Sequence, residues 1–271
     1  MRFHSVTRRE ALRMGAAGAV ALLPSAALAA KAASLMPGAS ACVLVPELDE
    51  GPFYFDAKLE RSDIRDGHSG APLRLQLQVV DASNCTPLSG ARVDVWHCDA
   101  AGFYSGEEGQ GDDEGTSTIG QRFLRGAQRS GADGLVTFDT IYPGWYRGRT
   151  THIQFKVILG GVRVATSQLF FPDALSQFVY ENIRPYADRK AARDSFNATD
   201  SIAQDEGNGH ATYCNVKEEA DRYLATLVIG IRRSGASPGA RPAGPPGPPL
   251  DAGEPSGPAP LDRTKLVPGA L

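Results

Sequence analysis

The chain has 271 residues, of which 30 Gly and 19 Pro make up 18%, against roughly 12% in average usage; this excess argues against a helix bundle or coiled coil, and the glycines lack the three-residue period of collagen. A content of 42% hydrophobic and 22% charged residues is enough to bury a core, which excludes wholesale disorder. The formal net charge of −3 gives no global attraction to nucleic acid or to an anionic membrane surface, and neither is expected as a partner.

Residues 1–29 read as an export signal. Thr7-Arg8-Arg9-Glu10-Ala11-Leu12 precedes an apolar run from Met14 to Leu23, then Pro24 and Ala27-Leu28-Ala29. A basic start, a short apolar stretch and an A-x-A site describe a secretory signal peptide, and the paired arginines point to the twin-arginine route. The apolar run is too short to cross a bilayer comfortably, so no transmembrane anchor is expected. Residues 30–40 read as a linker. The protein is thus expected in the periplasm or outside the cell.

Residues 41–234 form the expected single domain, and its apolar residues alternate in short runs. Leu73 to Val79 and Ala91 to Trp96 read as strands separated by turn residues Pro87 to Gly90. Gln121 to Leu124 and Leu135 to Phe138 read as a hairpin across Ser130-Gly131-Ala132-Asp133-Gly134, because Asp-Gly accepts the positive φ of such turns. His152 to Leu159 pairs with Arg163 to Phe171 around Gly160-Gly161, and Tyr223 to Ile231 closes the domain. Helix is indicated only near Ala174 to Tyr180 and Tyr186 to Phe196. Short strands with Gly/Pro punctuation imply an all-β sandwich or barrel. The cysteines Cys42, Cys85, Cys98 and Cys214 allow three pairings that the sequence does not rank, and an exported chain favours at least one disulfide. From Gly235 to Leu271 no hydrophobic period survives, and Pro245-Pro246-Gly247-Pro248-Pro249 marks a disordered, partly polyproline tail.

Three clusters carry residues with chemical potential. The densest is Pro143-Gly144-Trp145-Tyr146-Arg147-Gly148-Arg149-Thr150-Thr151-His152-Ile153-Gln154. Along its strand His152, Gln154 and Lys156 share one face while Ile153, Phe155 and Val157 share the other. On this segment alone the simplest reading is an aromatic turn leading into a solvent-facing strand. The second cluster, Val95-Trp96-His97-Cys98-Asp99, runs into a loop ending Gly102-Phe103-Tyr104-Ser105, and the third is Glu50-Gly51-Pro52-Phe53-Tyr54. The acidic stretch Glu107 to Glu114 lacks calcium-loop spacing and reads as a solvated loop. His68 and His210 lie in Gly-rich turns and read as exposed. No Ser-His-Asp order, phosphate-cradling loop or zinc spacing stands out.

Taken together and in this order, the three clusters resemble the intradiol ring-cleavage dioxygenases, non-haem ferric enzymes that open catechols between their two hydroxyls. The resemblance covers roughly residues 42–217 and is strongest to the short, exported branch, because no room is left for an N-terminal helical dimerisation segment. It implies an immunoglobulin-like β-sandwich with the metal at its edge and Fe(3+) as cofactor. The implied substrates are O2 and a small catechol or polyphenol, the ring being opened to a muconate-type diacid; the oligomeric state is not legible. By the same resemblance Tyr104 and Tyr146 are tyrosinate ligands and His152 an imidazole ligand. Arg149 would stabilise charge on the reacting ring, and Gln168 would support it. His97 is expected to hydrogen-bond locally and not to ligate. The family's second histidine of H-I-H is here Gln154, a neutral, weaker donor. That departure leaves three readings open: a working dioxygenase in which Gln154 or a water takes the fourth place, a site that binds iron but turns over slowly or on another substrate, or an iron-poor or iron-free pseudoenzyme or β-sandwich binding module.

Overall fold

A computed structural model describes residues 42–111, 114–204 and 212–233. The signal segment, the linker, the Pro-rich tail, Asp112, Asp113 and His210 lie outside the described residues.

Among the described residues eight strands form two four-stranded sheets: β1 (Pro72–Asp81), β2 (Arg92–Trp96), β3 (Arg125–Arg129), β4 (Leu135–Ile141), β5 (His152–Leu159), β6 (Val162–Phe170), β7 (Asn215–Glu218) and β8 (Tyr223–Ile231). The first sheet has the order β4-β1-β8-β7 and the second β3-β2-β5-β6. Pairing is antiparallel except between β1 and β8, which run parallel. Alternation decides which side chains meet between the sheets. Leu73, Leu75, Leu77 and Val79 of β1 and Phe138 of β4 join Val93, Val95, Ile153, Phe155 and Val157 of the second sheet in one buried core. This is the all-β sandwich expected from the sequence.

The expected hairpin at 121–138 does not form. Leu124 takes φ +54, which ends any extended run there, and Phe123 and Leu124 pack with Ile141 in a small cluster of their own. The strand starts at Arg125 instead and pairs with β2, whereas β4 pairs with β1. Asp133-Gly134 does turn the chain, with Gly134 at φ +75, but the turn carries it from one sheet to the other. Helix α1 (Asp173–Asn182) follows Pro172 as expected. The second expected helix shrinks to a 3-10 turn at Tyr186–Asp188. The residues after it spend their polar groups on the 145–150 loop and not on a helical ladder: Arg189 donates to the Trp145 carbonyl, and Asp194 accepts from the Gly148 N–H. The strand β7 escaped notice because it is short and largely exposed.

The outer face of the second sheet is not open to solvent either. His152, Gln154 and Lys156 are all buried, under residues 47–54 and the loops after β2 and β4. Leu48 donates its N–H to the Thr166 carbonyl, Glu50 bridges Lys156 at 2.6 Å, and Lys156 lies over the Tyr54 ring. Cys42 and Cys85 are joined by a disulfide that ties the start of this cover to the loop after β1, while Cys98 and Cys214 are free and buried.

Candidate active site

Two loops bring two tyrosines onto this covered face. After β2, the Asp99 carboxylate accepts hydrogen bonds from the N–H groups of Ala101 and Phe103, shaping the turn that delivers Tyr104. The Gln110 side chain then clamps Tyr104 by both backbone groups, accepting from its N–H at 2.6 Å and donating to its carbonyl at 2.8 Å. The acidic stretch is therefore not simply solvated, since Gln110 is buried within it. After β4, the Gly144 N–H donates to the Asp99 carbonyl at 3.0 Å. A Cβ at Gly144 would collide with the carbonyl oxygens of Asp99 and Ala100, so only glycine lets the two loops approach. Tyr146 follows, and its ring meets that of Tyr104 edge-on with centroids 5.6 Å apart. Phe53, from the covering segment, stacks on Tyr104 at 4.4 Å.

Both phenol oxygens lie 3.2 Å from His152 Nε2. His152 Nδ1 is 2.7 Å from the Thr150 carbonyl; a carbonyl only accepts, so Nδ1 holds the proton and Nε2 turns its lone pair toward the phenols. Burial, reinforced by the Arg149 charge, lowers the His152 pKa to about 3 and keeps the ring neutral. Burial also pushes the Tyr146 hydroxyl up to about 12, against the pull of Arg149, and holds the Tyr104 hydroxyl well above its ordinary value. Left to themselves, both tyrosines stay protonated at neutral pH.

Gln154 shares the strand face of His152. Its Nε2 donates to the Tyr104 oxygen at 3.2 Å, while its buried Oε1 has no hydrogen-bond partner. Turning the amide over would move the orphan to the nitrogen, so one polar atom is left over in either orientation. Gly51, at φ +66, backs this amide, and a Cβ there would sit 3.5 Å from Oε1.

Arg149 closes the cluster. Its Nε donates to Asp200 Oδ2 at 2.9 Å, one Nη donates to Gln168 Oε1, and the other points to the Tyr146 oxygen at 3.4 Å. Gln168 in turn donates to the Asp49 carbonyl at 2.7 Å. All six residues singled out from the sequence, Tyr104, Tyr146, His152, Gln154, Arg149 and Gln168, thus lie together. His97 stands apart, buried with Nδ1 on the Cys98 carbonyl and Nε2 on the Thr140 hydroxyl. His68 is half-buried, not exposed, and packs against the Phe123 ring. Gln110 and Asp200 were missed. Gln110 sat in a stretch whose composition reads as solvent-facing, and Asp200 meets Arg149 across a separation of 51 residues that includes β5, β6 and α1.

The donor set fits ferric iron. Among the described residues no three His, Cys, Asp or Glu side chains converge, but two phenol oxygens, a deprotonated imidazole nitrogen and an unpartnered amide atom do. Hard oxygen donors with one imidazole suit a hard trivalent cation, whose charge can ionise a phenol that burial otherwise keeps neutral.

A family profile described as dioxygenase matches residues 50–213. A catechol 1,2-dioxygenase of Acinetobacter lwoffii is 27% identical over 146 residues, which span 45% of this chain and 45% of that relative. The solved intradiol ring-cleavage dioxygenase of Tetranychus urticae is 32% identical, with a TM-score of 0.66 over 72% of this chain and 98% of its own. The dioxygenase domain of a dioxygenase carbohydrate-binding fusion from Streptomyces sp. SirexAA-E is 27% identical, with a TM-score of 0.52 over 71% of this chain and all of its own. With the profile covering more than half its length and the fold shared with a solved member almost end to end, the chain belongs to the intradiol ring-cleavage dioxygenase family.

Proposed function

We propose that the protein is a ferric intradiol dioxygenase that inserts both atoms of O2 into a catechol or related polyphenol between its two hydroxyls. The observation that carries this reading is the meeting of the Tyr104 and Tyr146 oxygens on His152 Nε2. Tyr104, Tyr146 and His152 would hold the metal, with the free amide atom of Gln154 in the fourth place. Bound there, ferric iron would supply the Lewis acidity to ionise the tyrosines and the hydroxyls of a catechol.

The protein's own groups do the rest. His152 Nε2 carries no proton and has a fixed orientation, so it presents a ready donor. Phe53, Trp96 and Tyr54 pack around the tyrosines and limit the entry of water. The Arg149 guanidinium, held at Nε and at one Nη, presents its remaining edge beside the Tyr146 oxygen, where it can stabilise negative charge developing on the ring. Export by the twin-arginine route is part of the same proposal and rests on Arg8-Arg9 and the Ala27-Leu28-Ala29 site.

The test is oxygen uptake by the ferric-loaded protein across a panel of catechols. Under isotopically labelled O2 the expected product is a muconate-type diacid that carries the label. A failure to bind iron would favour the binding-module reading, an absence of uptake with iron bound would contradict turnover of these catechols, and a semialdehyde product would place the cleavage outside the hydroxyls.

A further inference from the structure

The structure assigns Asp200 the role of positioning residue for Arg149, an inference that rests on the proposed dioxygenase reading and extends it. Asp200 is almost wholly buried, and all of its acceptor capacity is used. Oδ1 accepts the N–H groups of Ile202 and Ala203 at 2.8 and 3.0 Å. Oδ2 accepts the Thr150 N–H at 2.7 Å and Arg149 Nε at 2.9 Å. A carboxylate fixed by three backbone N–H groups has no freedom to follow a moving guanidinium, so the guanidinium must come to it.

The same short stretch grips the Arg149 loop at two further points. Asp194 accepts the Gly148 N–H, and Asn197 Oδ1 accepts from the Thr150 hydroxyl at 2.8 Å. Residues 194–200 therefore form a strap along residues 148–150, and Asp200 is its only charged contact with the Arg149 side chain. The consequence concerns direction. With Nε committed to Asp200 and one Nη to Gln168, a single guanidinium edge remains to face Tyr146 and the ring to be cleaved. Without the carboxylate, the charge of Arg149 would persist but its aim would not. Differential stabilisation of the transition state depends on that aim, whereas binding of the ground-state catechol depends on it less.

The test is a double-mutant cycle between Asp200→Asn and Arg149→Gln on the full, ferric-loaded chain, read with iron content, the visible band, kcat and KM. Asparagine keeps one acceptor oxygen for the 202–203 N–H groups. Asp200→Glu keeps the charge but displaces it by a methylene, and it carries the same cycle if the asparagine variant does not fold. Asp200→Asn is expected to bind iron as the parent does and to lower kcat by about 10- to 100-fold, the range typical of an outer supporting contact, with KM changed by less than about threefold. In the Arg149→Gln background the same change should have little further effect on kcat, because the influence of Asp200 on turnover runs through that arginine. In gallium(III)-loaded protein the nitrogen resonance of Arg149 Nε should be sharp, and it should broaden or shift in Asp200→Asn. A kcat equal to the parent's, or an equal loss in both backgrounds, would overturn the positioning role and reduce Asp200 to a folding contact. A parent that binds iron but turns over no catechol would overturn the functional reading and this inference with it.

Discussion

At the scale of single residues, the departure at Gln154 is the most informative. An amide oxygen is neutral and a weaker donor than imidazole, yet Gln154 is buried beside Tyr104 with one polar atom unpartnered. Gln154→His is therefore expected to raise ferric affinity by about tenfold or more, on the scale of one supporting contact, as read by competition with a chelator. An unchanged affinity would mean that the fourth place does not involve this side chain. His97 makes a prediction about stability. Burial lowers its pKa from 6.5 to about 4, so the folded protein holds it neutral while the unfolded chain takes up a proton. Its contribution is complete above about pH 6.5 and is lost as pH falls toward 4, costing about 2 kcal/mol between about pH 7.5 and about pH 5. Urea titrations should show His97→Gln losing much of that pH dependence. The chemistry-bearing residues were legible because their types and local spacing announce them. Gln110 and Asp200 were not, because each acts through a contact that only the fold creates.

At the scale of elements, the site depends on two loops held in register more than on the strands themselves. Gly144→Ala drives a Cβ into the Asp99 and Ala100 carbonyls and should destabilise the protein by about 1–3 kcal/mol, the usual cost of overpacking. It should also displace Tyr146, which is readable as weakened iron binding in the fraction that stays folded. Gln110→Ala leaves the Tyr104 N–H without its acceptor, the Tyr104 carbonyl keeping the Thr118 hydroxyl, and should cost about 1–3 kcal/mol through the buried donor left unpaired. Alternation located most strands, as in β1 and in the β5–β6 pair, because period-2 burial is a local property. It failed at residues 121–138, where Leu124 turns left-handed and the chain changes sheet. A local pattern identifies a strand without identifying its partner. The polar face of β5 misled for the same reason: its cover comes from residues 47–54, about a hundred positions upstream of the strand.

For the whole molecule, one sheet face has become the floor of a buried site because the start of the domain folds across it. The Cys42–Cys85 disulfide ties that cover down, closing a separation of 43 residues. Its removal as the paired serine variant should lower stability by about 2–4 kcal/mol and should weaken iron binding more than loss of a remote crosslink would. On the proposed function, Tyr104, Tyr146 and His152 together hold ferric iron. The most direct measurement is the visible spectrum after ferric reconstitution of the parent, Tyr104→Phe and Tyr146→Phe. A tyrosinate-to-iron charge-transfer band is expected in the parent, weakened and shifted by each substitution. A parent that stays colourless with ferric iron supplied, or a band that neither substitution alters, would contradict it.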